Sequence, residues 1–130
     1  MTFTSEEIKR MEVSTYDEWQ YPDYGSRNAS VEIFCDEDID KRVCSFFNYR
    51  IEDVNENGWV DTYANIDVVE KKVASIIFII VTNFDDSLDR ELEISITNNI
   101  EAEEMYRQFA TTDGFEEFIE EARKAWQNSE

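Results

Sequence analysis

An α+β fold follows from three observations on this 130-residue chain. Its middle alternates apolar and polar residues with a period of two, the signature of half-buried strands. Its last third switches to apolar residues three and four apart, the signature of helices. The strand-like stretches are joined by short turns, which connect antiparallel pairs; parallel pairs need crossovers of about a dozen residues. The expected architecture is an antiparallel meander of about five strands, with a short N-terminal helix and two C-terminal helices packed on one face. Residues 1–130 are expected to form a single compact domain, because 42% hydrophobic and 14% aromatic residues supply a core, and one Pro and three Gly leave no flexible linker.

The elements follow in chain order. Thr4, Ser5, Glu6 and Glu7 have the spacing of a capping box, and Phe3 and Ile8 that of a hydrophobic staple, so a helix is expected from Ser5 to Met11. Ser14 to Ser30, with Pro22, Gly25 and the aromatics Tyr16, Trp19, Tyr21 and Tyr24, reads as an irregular arm. Val31 to Cys35 alternates and predicts a strand, and Asp36 to Arg42 a polar connection. Val43 to Val54, with Phe47, Tyr49 and Ile51 at alternate positions, reads as a long strand. Asn55 to Gly58 ends in the Asn-Gly pair favoured in hairpin turns. Trp59 to Val69 alternates strictly, Lys71 and Lys72 mark a turn, and Val73 to Phe84 is apolar on both faces, as a central strand covered on both sides would be. Asp85, Asp86 and Ser87 break that run, and Leu92, Ile94 and Ile96 form the dry side of a last strand. Asn98 with Glu101, and Asp113 with Glu116, are spaced as helix-start signals for the two terminal helices. The second of these carries the apolar stripe Phe115, Phe118, Ile119, Ala122 and Trp126.

The chain has 31 Asp and Glu against 12 Lys and Arg, and a formal charge of −19. Self-repulsion on that scale opposes compaction, and it makes nucleic acid or an anionic membrane an improbable direct partner. The excess is concentrated late. Between Asp85 and Glu121 there are 13 acids, offset only by Arg90 and Arg107. Glu91 and Glu93 on the last strand, Glu101, Glu103 and Glu104 on the first terminal helix, and Glu116, Glu117, Glu120 and Glu121 on the second are the candidate partner-binding carboxylates. Some of this acidity serves helix N-termini, and Glu120 with Lys124 has the spacing of a compensating pair. Trp19, Tyr21 and Tyr24 are candidate aromatic anchors, since buried aromatics carry much of an interface's energy.

Catalytic chemistry finds little support. The chain has no His, so a histidine general base or metal ligand is excluded. No nucleophile motif or Gly-rich phosphate loop occurs, and neither an enzyme nor a cofactor is expected. Cys35 and Cys44 read as two reduced thiols in or near the core. Met1 is followed by no secretory signal, and the longest apolar run is about half a membrane span, so a cytoplasmic protein is expected.

Asp53 to Asp61 carries part of the pattern of a calcium loop. Asp53, Asn55, Asn57 and Asp61, with Gly58 at the sixth position, match the first nine positions of a calcium loop and resemble those of EF-hand and dockerin modules. The twelfth position, which should hold a bidentate carboxylate, is Ala64, and no metal is expected. A calcium- or carbohydrate-binding module built on Asp53 to Asp61 is the alternative of a different class.

The favoured expectation is an acidic inhibitor whose carboxylates stand in for phosphates in the basic groove of a nuclease. In being small, acidic and α+β, the chain is similar to phage-borne anti-restriction and anti-CRISPR proteins, a likeness of composition that no motif carries. The resemblance implies a DNA mimic of phage defence systems, acting in the host cytoplasm. An immunity protein that neutralises a basic nuclease toxin shares the same charge logic and is the alternative.

Overall fold

A computed structural model describes residues 2–14, 27–82 and 90–128. Five strands form one antiparallel sheet in the sequential order of a meander: β1 (Glu12–Val13), β2 (Asn28–Phe34), β3 (Gly58–Asp67), β4 (Lys72–Thr82) and β5 (Arg90–Ser95). The helices are α1 (Ser5–Lys9), α2 (Glu37–Phe46), α3 (Ile51–Asn57), α4 (Asn99–Phe109) and α5 (Phe115–Asn128). The expected class, meander, N-terminal helix and paired C-terminal helices are all present.

α1 starts as its capping box requires. The Glu7 N–H donates to Thr4 Oγ1 at 3.1 Å, and the Thr4 N–H donates back to Glu7 Oε1 at 2.9 Å. The same carboxylate receives Arg42 of α2, and Arg10 reaches Asp36 at the start of α2. Burial would raise the Glu7 pKa, but the Thr4 N–H, the Arg42 guanidinium and the Thr4 hydroxyl outweigh it and hold it below the usual carboxylate value.

The long strand expected from Val43 to Val54 is instead helical. Asp36 caps α2 by accepting the Asp38 N–H at 3.0 Å, and Glu37, Asp38 and Asp40 sit in the first turn, where the helix dipole favours them. Ile39, Val43 and Cys44 then fall on one buried face. The expected polar connection, Asp36 to Arg42, is therefore the front of a helix. Asn48 takes a left-handed conformation, φ 64°, that Asn tolerates, and this separates α2 from α3. The alternating Phe47, Tyr49 and Ile51 cross that junction and are not a strand face.

The Asn-Gly pair makes no hairpin. Asn57 closes α3, its Nδ2 donating to the Asp53 carbonyl at 2.9 Å, and Gly58 opens β3. Glycine is needed there for space: a Cβ on Gly58 would lie 1.8 Å from the Val81 carbonyl oxygen of β4. The sheet retains five strands because Glu12 and Val13, outside the expected strands, pair with Phe34 and Ile33.

β3 and β4 are joined by a turn organised by Asp67. Its Oδ1 accepts the N–H groups of Val69 (3.0 Å) and Glu70 (2.9 Å) and the Arg27 Nε–H (3.0 Å), while Lys71 adopts φ 56°. Within the pair, the register passes from Asn65–Ser75 to Ile66–Val73 and skips Ala74, a bulge. The register elsewhere assigns every residue to a face. Val31, Ala64, Ile76 and Ile94 share the inner face, as do Thr62, Phe78 and Leu92. Glu32, Tyr63, Ile77 and Glu93 share the outer one, as do Asp61, Ile79 and Glu91.

The core lies on the inner face. Buried residues of all five helices form one cluster with the inner-face residues of β2, β3, β4 and β5. Phe3 approaches Phe78 (6.4 Å between centroids), and Phe115 packs edge-on against Tyr106 (5.6 Å) and Phe109 (6.2 Å). The second covering layer expected over β4 is absent among the described residues. Ile77, Ile79 and Val81 are half-buried and belong neither to the core cluster nor to the shell packed against it. No helix among the described residues is long and apolar enough to cross a membrane.

Candidate functional site

The candidate carboxylates divide between two surfaces. Glu91 and Glu93 are exposed on the outer face of β5. Glu101, Glu103 and Glu104 on α4, and Glu116, Glu117, Glu120 and Glu121 on α5, belong to the helix layer on the other side of the sheet. The last strand and the two helices therefore do not present one continuous array.

Within the helix layer the carboxylates are unequal. Asn98 caps α4 by accepting the Glu101 N–H at 3.1 Å; burial and the neighbouring Glu104 raise the pKa of the Glu101 carboxyl. Glu120 is the most engaged: Arg123 (2.8 Å) and Lys71 (3.2 Å) both pair with it. These two hydrogen-bonded cations pull its pKa down to about 2. Its partners are thus Arg123 and Lys71, and not the Lys124 that spacing suggested. Glu116, Glu117 and Glu121 are exposed on α5 and Glu103 on α4, without an ion-pair partner among the described residues. α5 itself begins one residue later than Asp113 implied, with the Gly114 carbonyl accepting the Phe118 N–H at 3.1 Å and Gly114 at φ 85°.

α4 and α5 are held together by the Tyr106–Phe115–Phe109 cluster, with the Tyr106 ring 5% exposed. Its hydroxyl has no hydrogen-bond partner among the described residues, and burial, then Glu116 and Glu120, push its pKa up to about 12. The carboxylates of α5 thus stand over a packed aromatic seam.

On the outer face the geometry is also fixed. Asn65 Nδ2 donates to Ser75 Oγ at 3.0 Å, and the Ser75 hydroxyl donates to Glu93 Oε2 at 3.0 Å. Burial, then Asp61 and Glu32, raise the pKa of the Tyr63 hydroxyl. Sequence reasoning missed Glu32 and Asp61 as companions of Glu91 and Glu93. The available signal was the alternation of β2 and β3, which places them on one face once the register is known.

Among the calcium-loop residues, Asp53, Asn55 and Asn57 lie on α3, and Asp61 lies on the outer face of β3. A helical turn occupies the place of the loop that would wrap an ion, and no group of three or more His, Cys, Asp or Glu among the described residues could hold a metal. Trp19, Tyr21 and Tyr24 lie outside the described residues, as does the break at Asp85, Asp86 and Ser87. Cys35 and Cys44 are free thiols. Burial, then nearby carboxylates, push the Cys35 pKa up to about 12, and burial, then Asp40, push that of Cys44 to about 11, so neither is an activated nucleophile. No protein-family model, curated protein or solved structure matches the chain.

Proposed function

We propose that the chain is an acidic inhibitor that occupies the nucleic-acid-binding groove of a Lys/Arg-rich nuclease, in the manner of anti-CRISPR and anti-restriction proteins. The observation that supports this most is the contrast among its carboxylates. Glu7, Asp36, Asp67, Glu70 and Glu120 are tied into ion pairs that hold elements together. Glu103, Glu116, Glu117 and Glu121 are exposed on α4 and α5 with no such duty among the described residues. A chain at −19 gains no stability from them, whereas a groove evolved to neutralise phosphates, at one charge per roughly 1.7 Å of duplex axis, accepts a dense carboxylate surface.

Charge reversal of Glu103, Glu116, Glu117 and Glu121 tests the reading. Glu120 is left intact because its loss would also release Lys71 and Arg123. A basic nuclease captured at low salt should bind the wild-type chain with steep salt dependence and the reversed variant at least about tenfold more weakly. Equal binding by a variant with an unchanged melting temperature would remove the helix layer as the contact surface.

A further inference from the structure

We propose that the outer face of the sheet is a docking surface for an amphipathic, Lys/Arg-rich segment of a protein partner. The inference rests on the reading of the chain as a ligand for a basic protein, and adds a second contact area to it.

The register builds this surface row by row. Glu32, Tyr63, Ile77 and Glu93 stand side by side across β2, β3, β4 and β5. The next row holds Asp61, Ile79 and Glu91, and Trp59 and Val81 form the one beyond. Strand alternation puts Phe34 on the same face, beyond Glu32. Phe34 and Trp59 are about half exposed, at 50% and 53%. Tyr63, Ile77 and Ile79 form the apolar part of this face, Asp61 interrupts it on β3, and every charged side chain of these rows is a carboxylate. Among the described residues, Arg27 and Lys72 lie at the far end of the sheet, paired with Asp67 and Glu70.

That combination selects the occupant. A nucleic acid or anionic lipid is repelled by Glu32, Asp61, Glu91 and Glu93. A second copy of the chain, face to face about a twofold axis, would set those carboxylates against their equivalents, and like charges across an interface are strongly disfavoured. A segment with apolar side chains flanked by Lys or Arg buries Tyr63, Ile77 and Ile79 and meets the acidic rim. The Asn65–Ser75–Glu93 chain of hydrogen bonds holds one carboxylate of that rim in place before the partner arrives.

The test titrates the protein with a helical Lys/Leu peptide and with polylysine of equal charge, following amide NMR shifts at low and high salt. The Lys/Leu peptide should shift residues 59–63, 77–81 and 91–93. The double variant Ile77→Ser/Ile79→Ser should bind it about tenfold more weakly and bind polylysine unchanged. Glu91→Gln/Glu93→Gln should weaken it too and flatten its salt dependence. Shifts confined to α4 and α5, or equal affinity of wild type and the Ser variant, would overturn this inference and leave the inhibitor reading standing. So would nuclear Overhauser contacts from residues 15–26 to Ile77 and Ile79 in the free protein, or dimerisation through this face. Failure of both probes to bind at low salt would overturn both.

Discussion

The two faces of the sheet are made of similar residues and do different things. On the inner face Ile76, Phe78 and Ile80 are at most 1% exposed beneath the helices. On the outer face Ile77, Ile79 and Val81, their immediate neighbours in β4, stay half-buried and outside the core cluster. Among the described residues, apolar character alone therefore does not place this strand between two layers. The difference lies in the companions: the inner rows set Ile76 and Phe78 beside Val31, Ala64, Ile94, Thr62 and Leu92, whereas the outer rows set Ile77 and Ile79 beside Glu32, Glu93, Asp61 and Glu91. The inner face supplies stability, and the outer face holds apolar surface beside Glu32, Asp61, Glu91 and Glu93.

The sharpest way to break that comparison is to truncate one residue on each face. Phe78→Ala should cost about 3–5 kcal/mol, and Ile79→Ala about 1 kcal/mol, as read by urea denaturation. Equal losses would mean that both faces are packed alike. Gly58→Ala comes next. Its Cβ would meet the Val81 carbonyl, so the α3–β3 junction or the end of β4 must shift, at about 1–3 kcal/mol by the same measurement. Tyr106→Phe removes a buried hydroxyl of the inner layer that has no partner among the described residues, and should be neutral or stabilising by up to about 1 kcal/mol; a clear loss would show that the hydroxyl has a partner.

A pH dependence is expected from Asp40. Burial, then Glu37 and Asp36, raise its pKa from 3.8 to about 6 in the folded chain. A raised carboxyl favours the native state while protonated, so its contribution is full below about 3.8 and is lost as pH rises through about 6. Melting curves across that window should show Asp40→Asn relatively more stable toward neutral pH and with a flatter profile than wild type. Identical profiles would show that Asp40 is not desolvated by the α2 packing.

What could be read from the chain was what is local. The capping box at Thr4 and Glu7 and the cap at Asn98 depend on residues three apart, and both formed as the spacing required. β3 and β5 declared themselves through alternation, and β4 through its apolar run. The stretch from Val43 to Val54 failed because two periodicities overlapped: Phe47, Tyr49 and Ile51 alternate, while Ile39, Val43 and Cys44 repeat with helical spacing behind the Asp36 cap. The second pattern was hidden by reading Asp36 to Arg42 as a connection. β1 has only Glu12 and Val13, and it exists through pairing with β2, about twenty residues later, which no local signal reports. The candidate site divides likewise. The exposure of Glu116, Glu117 and Glu121 follows from the Phe118–Ala122 stripe of α5. The engagement of Glu120 by Lys71, and the separation of Glu91 and Glu93 from the helix layer, depend on tertiary placement.

As an inhibitor, the chain would set its carboxylates against phosphates for the same basic groove. The most direct test is a competition measurement, in which a Lys/Arg-rich nuclease that binds the chain is held with fluorescent duplex DNA while the chain is titrated in. The chain should displace the duplex stoichiometrically, and displacement should weaken steeply as salt rises. A ternary complex, with chain and duplex bound to the nuclease together, would contradict it.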